Sequence, residues 1–208
     1  MKSTTTLFKN VLVFGTMVLG LFTSSKVQAQ GTPCTGQAAY GCGLQYGYCG
    51  DIDAITIKNS AGTVLASYSG LKCTSGAAGT YRGILNQGSS IDLTAGEEIT
   101  IELTGTEWNG YYTRPGVWMD VSLDNQFQAS ECVIDPASYT IGATATTFKV
   151  KVPCFTKAGS SYVRVRGGWN AYTLTRNNGC GSANTYGNLF DIAVNYKLGA
   201  TQVANFII

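Results

Sequence analysis

The residues with the clearest chemical potential lie in one twelve-residue stretch, 120–131. Oxygen-bearing side chains occupy its first, third, fifth, ninth and twelfth places, and an asparagine takes the sixth place, where calcium-binding loops carry a glycine. Because Ca²⁺ requires several convergent hard oxygen ligands, this spacing predicts a calcium site. The alternative is an acidic β-turn between two strands, with Asp124 and Asn125 at its tip. The predicted ligands are Asp120, Ser122, Asp124, Gln126 and Glu131, with Gln128 at the ninth place.

Aromatic rings offer a second kind of site. Two glycine-containing segments carry a tryptophan with two tyrosines and with one tyrosine, in the sequences Trp-Asn-Gly-Tyr-Tyr and Gly-Gly-Trp-Asn-Ala-Tyr. Exposed flat rings stack on sugar faces, so these segments predict a glycan-binding surface. Alternatively, the two tryptophans close the open ends of a β-sandwich. The predicted ligand-binding residues are Trp108, Tyr111, Trp169 and Tyr172.

Catalytic chemistry has little support in the sequence. The chain contains no histidine, which excludes Ser-His-Asp and Cys-His nucleophilic sites. A pair of carboxylates of the glycosidase type remains open as an alternative. However, Glu98 and Glu102 lie on one face of a single predicted strand, as solvated surface residues do. We therefore predict a protein that is not an enzyme, with glycosidase activity as the least favoured function.

The first residues predict export. Lys2 and Lys9 form a positively charged region before an apolar run at residues 11–22. Val27 and Ala29 then provide the side chains that a signal peptidase accepts. We predict a signal peptide over residues 1–29 and a protein that is secreted or held at the cell surface. The remaining 208 − 29 = 179 residues carry 11 basic and 12 acidic side chains. This balance gives no indication of a nucleic-acid partner.

Cysteines support the same compartment. All seven lie beyond the predicted signal peptide, and disulfides form in oxidising compartments. Three bridges would leave one cysteine, either free or paired with another chain. The spacing does not fix which cysteines pair. The seven are Cys34, Cys42, Cys49, Cys73, Cys132, Cys154 and Cys180.

From Asp51 onwards, apolar and polar side chains alternate in short runs separated by Gly, Asn and Ser. Alternation with a period of two predicts strands that are buried on one face and solvated on the other. We predict an all-β fold, an antiparallel β-sandwich stapled by disulfides. The predicted strands are 54–58, 63–68, 98–103, 117–121, 148–152, 162–166 and 190–196. The predicted organisation is a Cys/Gly/Tyr-rich arm at 30–50, the sandwich at 51–198, and an apolar tail or last strand at 199–208.

The same alternation predicts which side chains face solvent. Arg164 and Arg166 alternate with valines, so we expect both to lie on an exposed face and to pair with carboxylates across the sheet. Trp118 shares a face with Asp120, and we expect it to be partly exposed.

The segment around the predicted calcium loop also resembles a known family. It follows the order of the "VWIDxNxDGxF…E" segment of GEVED-type domains, which occur in bacterial surface and secreted proteins. The matching residues are Val117-Trp118-Met119-Asp120, Asp124-Asn125, Phe127 and Glu131. Further landmarks keep the family's order over about residues 48–196. They are Tyr48-Cys49 before Ile55-Thr56-Ile57, Val152-Pro153 before residues 162–166, and Cys180 before Gly187-Asn188-Leu189-Phe190-Asp191. Of the acidic residues in the motif that names the family, Asp191 remains.

The resemblance implies a β-sandwich that serves as an accessory or adhesive module and not as an enzyme. It also implies a bridge between Cys49 and Cys180, which bracket the domain. Together with the residue patterns, it predicts a secreted structural or adhesive module that engages an extracellular glycan or protein surface. Self-association into a homo-oligomer is expected through the unpaired cysteine or the C-terminal strand. The alternative function is a carbohydrate-binding module.

Overall fold

A computed structural model gives the fold of the chain. It describes residues 32–38, 50–72, 81–86, 89–155, 157–170, 174–183 and 185–199. Among these residues, no helix is long and apolar enough to cross a membrane. The strands are β1 (Gly36–Ala38), β2 (Ile52–Lys58), β3 (Val64–Tyr68), β4 (Tyr81–Ile84), β5 (Ile91–Thr94), β6 (Glu98–Gly105), β7 (Glu107–Trp108), β8 (Tyr111–Met119), β9 (Cys132–Ile134), β10 (Thr146–Lys151), β11 (Gly159–Trp169), β12 (Gly181–Ala183) and β13 (Leu189–Lys197). Two short 3₁₀ helices span Ala129–Glu131 and Arg176–Asn178.

The strands form two sheets that pack as a sandwich, which confirms the predicted fold class. The first sheet has four antiparallel strands in the order β10-β6-β2-β3. The second has the order β4-β13-β11-β8-β7, with β5 also beside β13 and β9 also beside β8. Its β4 and β5 run parallel to β13, while its other pairs are antiparallel. A small parallel pair, β1 and β12, completes the fold.

The core lies between the two sheets and follows the period-two pattern. On β6, and on β2 from Ile55 onwards, every second residue is buried, while those between them are partly or fully exposed. An irregularity between Ile52 and Ala54 interrupts the alternation at the start of β2. Burying one such side chain contributes about 1.5–3 kcal/mol, so the facing rows dominate the stability of the sandwich. The facing rows include Ile55, Ile57, Ile99, Ile101, Leu103, Val163, Val165, Ile192 and Val194.

Strand β8 begins at Tyr111, six residues before the predicted strand at 117–121, and so includes Pro115 and Gly116. Thr113 exchanges backbone hydrogen bonds with Ile141, at 3.0 and 2.8 Å, on the side of β8 away from β11. Pro115, two residues on, points its nitrogen to that same side, between Ile141 and β9. The missing N–H therefore interrupts no ladder bond to β11, which is where a strand tolerates proline.

The second sheet is buried on both faces, and this corrects the predicted exposure of three residues. Trp118 and Arg164 have no exposed area, and Arg166 is 1% exposed. A second apolar cluster lies on this outer face. Trp118, Tyr162 and Ala193 come from strands of the sheet, and Phe127 packs over them. Partly buried residues pack against this cluster, namely Cys34, Ile84, Cys132 and Cys180. Alternation separates the two faces of a strand, but it does not reveal that a further layer covers one of them.

A disulfide between Cys34 and Cys180 staples this covering layer, with the two residues 146 positions apart in sequence. Because Cys180 is bonded to Cys34, the Cys49–Cys180 bridge that the resemblance implies is not formed. Cys132 and Cys154 carry free thiols, the first half-buried and the second exposed. Burial raises the pKa of the Cys132 thiol to about 12, with a further contribution from the charge of Asp135. The remaining cysteines, Cys42, Cys49 and Cys73, lie outside the described residues.

Candidate functional site

The predicted calcium loop is organised around Asp120, a fully buried carboxylate that follows β8. Its Oδ1 accepts hydrogen bonds from the Ser122 hydroxyl and the Asp124 N–H, each at 3.2 Å. Its Oδ2 accepts from the Asn125 N–H at 2.9 Å and from the Ser161 hydroxyl. The side chain thereby fixes the turn of the loop from within.

Glu131 closes the other end of the loop and is 4% exposed. Its carboxylate accepts from the N–H of Ser122 at 3.0 Å and of Gln128 at 3.1 Å. Burial raises the pKa of Glu131, and the charge of Asp120 contributes to the rise. Asn125 has a φ of 61°, so the sixth place does carry the left-handed backbone that the glycine of a calcium loop allows.

Hydrogen bonds bring the predicted ligands Asp120, Ser122 and Glu131 together. The residues Ser122, Asp124 and Gln126 are exposed. Asp124 accepts from the Gln126 N–H at 2.8 Å. Among the described residues, no group of three or more His, Cys, Asp or Glu side chains is placed to hold a metal ion. Each oxygen of Asp120 already accepts two hydrogen bonds, which uses both of its lone pairs, so a cation would have to displace donors there. Each oxygen of Glu131 accepts one backbone N–H and retains acceptor capacity. Calcium binding stays a prediction.

The aromatic residues lie at one end of the sandwich. Trp169 is 9% exposed, and its ring meets the rings of Tyr111 and Tyr186 edge to face, with centroids 5.3 and 5.8 Å apart. Tyr111 is 39% exposed. Trp169 thus closes this end of the sandwich, and Tyr111 is the ring that faces solvent. The side chain of Trp108 and all of Tyr172 lie outside the described residues.

Arg164 forms the centre of a buried polar network on the outer face of the second sheet. Its Nε and Nη2 donate to the two oxygens of Asp191 on β13, at 2.8 and 2.7 Å, which gives a bidentate ion pair. The guanidinium also donates to the carbonyls of Gly179 and Cys34, each at 2.7 Å, and lies 4.1 Å from the ring centroid of Phe127. The predicted pairing across the sheet is present, in the interior instead of on the surface.

Neighbouring side chains extend this network. Arg166 donates to the carbonyls of Asn178 at 2.7 Å and Gly181 at 3.2 Å. Burial, followed by the nearby charge of Arg164, lowers the pKa of Arg166 to about 10. The indole N–H of Trp118 donates to the carbonyl of Arg176 at 2.9 Å. These donors satisfy the carbonyls of the segment that carries Cys180, so they hold the covering layer on the sheet.

The sandwich has an open edge, which the sequence did not reveal. Strand β10 is the last strand of the first sheet, and no described strand pairs with its outer side. Val152 directs both its N–H and its C=O toward β6, with bonds of 2.8 Å to Glu97 O and 3.0 Å from Gly96 N. Since these directions alternate along an antiparallel strand, the backbone groups of Lys151, Lys149 and Thr147 point away from β6.

An apolar groove of about 270 Å³ lies along the same edge. It separates β10 from β9, the facing strand of the second sheet. Tyr139 is 49% exposed, and its ring meets that of Phe148 edge to face at 5.2 Å. The apolar residues that line the groove are Val133, Ile134, Tyr139, Phe148 and Val150, and the polar ones are Thr146, Thr147 and Lys149. The groove, the exposed ring of Tyr139 and the unpaired edge of β10 therefore lie together.

Comparison with known proteins returned no match: no family model, curated protein or solved structure is similar enough to assign the chain to a family. The resemblance to GEVED-type domains stays a prediction.

Proposed function

We propose that the protein is a secreted, non-catalytic structural or adhesive module that binds an extended protein segment at its open edge. The observation that carries this proposal is the juxtaposition of the unpaired side of β10 with the apolar groove. An added strand gains main-chain hydrogen bonds from such an edge, while the groove accepts alternate side chains of the segment.

The use of the buried charges supports a non-catalytic role. Asp120 and Glu131 accept hydrogen bonds from the backbone of their own loop. Arg164 and Asp191 bind each other, and Arg164 binds the layer above them. Each of these groups stabilises the fold through contacts that a reacting substrate would have to displace.

Other features support an extracellular location. The Cys34–Cys180 disulfide indicates an oxidising environment outside the cytoplasm. The signal-peptide pattern over residues 1–29 and the resemblance to GEVED-type domains favour secretion and an adhesive role. Within this proposal, Ca²⁺ binds the loop at Asp120, Asp124 and Glu131, as the oxygen spacing predicts, and rigidifies it.

A display library of random extended heptapeptides, selected on immobilised mature protein, tests the proposed binding. The decisive variant is Lys149→Pro, because proline removes an N–H that points away from β6 and leaves the β6 ladder intact. Lys149→Ala is the matched control, since it removes the same charge and keeps the N–H. We expect clones that bind wild type and Lys149→Ala but not Lys149→Pro. If no clone shows this pattern, strand addition at β10 is wrong.

Glycan binding is the second candidate function, favoured by the exposed ring of Tyr111, which the edge of Trp169 supports. Retention on insoluble polysaccharides tests it, with Tyr111→Ala compared against Tyr139→Ala, an exposed tyrosine that lines the groove at β10. Loss of retention for Tyr111→Ala alone supports glycan binding. Equal retention of both variants and wild type excludes Tyr111 as the binding ring.

A further inference from the structure

We propose that the segment taken up by β10 is an acidic, apolar strand of a different protein, with glutamate or aspartate alternating with apolar residues. This inference rests on the proposed function and names the chemistry of its partner. It follows from the two rows of side chains that β10 presents and from the charge of the outer row.

The two rows of β10 differ in character. Phe148 and Val150 are 8% and 6% exposed and line the groove. Thr147, Lys149 and Lys151 are exposed on the opposite face of the strand. A strand added beside β10 has the same alternation, so its side chains face the groove at every second position. Apolar residues are favoured at those positions, and the residues between them lie beside the lysines.

One carboxylate faces the two lysine charges. Lys149 Nζ lies 3.4 Å from Glu98 Oε1, but these side chains are 73% and 58% exposed, so the pair is weak. Glu98 also lies opposite Lys151 on the neighbouring strand, so the two lysines retain an excess positive charge. Opposite charges placed directly across two strands attract, and like charges repel. The outer row therefore selects carboxylates in the partner strand.

The same charges argue against a second copy of this chain as the partner. When two β10 strands pair antiparallel with Lys149 opposite Lys149, or are shifted by one repeat so that Lys149 lies opposite Lys151, like charges lie directly opposite each other. Such repulsion protects native edge strands from self-pairing. It disfavours these two registers, whereas the register with Phe148 opposite Phe148 places Lys149 beside Thr147.

Two synthetic peptides test the inference by fluorescence anisotropy on the mature protein. One is Ser-Val-Glu-Val-Glu-Val-Ser, and the other replaces both glutamates with lysine. We expect the acidic peptide to bind at least about tenfold more tightly at low salt, and the difference to shrink in 1 M NaCl. The double variant Lys149→Glu/Lys151→Glu keeps the backbone intact and should bind the lysine peptide in preference.

The remaining outcomes separate the two proposals. If both peptides bind wild type equally, or the charge-reversed variant keeps the preference for the acidic peptide, the inference is overturned. The proposed function survives that result if display selection still yields clones that lose binding in Lys149→Pro. A third peptide with the sequence of residues 200–208 tests the protein's own C-terminal segment. If it binds more tightly than the acidic peptide, the occupant is that segment and the inference is overturned.

Discussion

Asp191→Ala removes both acceptor oxygens that face Arg164 on the outer side of the second sheet. The guanidinium then lies in a site without solvent exposure, where it retains the carbonyls of Gly179 and Cys34 as acceptors. Removing one partner of a buried ion pair costs about 3–5 kcal/mol, because it leaves the other charge uncompensated. The retained carbonyls place the expected loss near the lower value. For a domain of this size, this lowers the thermal midpoint by about 6–12 °C.

A double-mutant cycle with Arg164→Met isolates the pair, with the free energy of unfolding measured by denaturation in guanidinium chloride. In the Arg164→Met background the guanidinium that Asp191 pairs with is gone, so Asp191→Ala should cost less by at least about 2 kcal/mol. Arg164→Met alone should also destabilise, since it leaves the Asp191 carboxylate and two carbonyls without this donor. If Asp191→Ala costs less than about 1 kcal/mol, or equally in both backgrounds, the account of the covering layer is refuted.

Three further changes test other parts of the structure. Cys34→Ser removes the disulfide that spans 146 positions, and chain entropy predicts a loss of about 4–5 kcal/mol in the free energy of unfolding. Cys154→Ser changes an exposed free thiol and should leave the free energy of unfolding unchanged. A Cβ at Gly167 would overlap the carbonyl oxygen of Gly50, so Gly167→Ala should lower stability by about 2 kcal/mol or more. At Gly159 the added Cβ meets the flexible end of the Leu123 side chain, so Gly159→Ala should cost less. Equal losses would contradict the close approach of the backbone at Gly50 to Gly167. Addition of Ca²⁺ should raise the thermal midpoint of wild type, and it should raise the midpoint of Asp124→Asn by less. The absence of any rise in wild type would rule out the calcium site.

The period-two alternation predicted the longer strands, because each of the seven predicted runs overlaps an observed strand. It did not predict the short strands β1, β4, β5, β7, β9 and β12, which have two to four residues and offer too little alternation. It failed for the outer face of the second sheet, where Trp118, Arg164 and Arg166 are buried. The layer that covers them is brought there by a disulfide between Cys34 and Cys180, and sequence spacing carries no information on such distant contacts. A signal of a buried pair was available in Asp191, the one charged residue in the otherwise apolar run 189–194.

The loop at residues 120–131 was recognised from its oxygen spacing, and the structure shows what the spacing does locally. Asp120 organises the turn by accepting backbone N–H groups, a role that short acidic side chains commonly have in turns. The open edge could not be predicted, because it depends on strand order. Nothing within residues 146–151 indicates that β10 has β6 on one side and no strand on the other.

Amide hydrogen exchange along β10, resolved by residue with NMR, tests the open edge most directly. The account predicts slow exchange at Phe148 and Val150, whose N–H groups point toward β6, and fast exchange at Thr147, Lys149 and Lys151. Addition of the acidic peptide should slow exchange at these last three residues alone. Protection of Lys149 and Lys151 in the free protein, equal to that of Val150, would contradict the account.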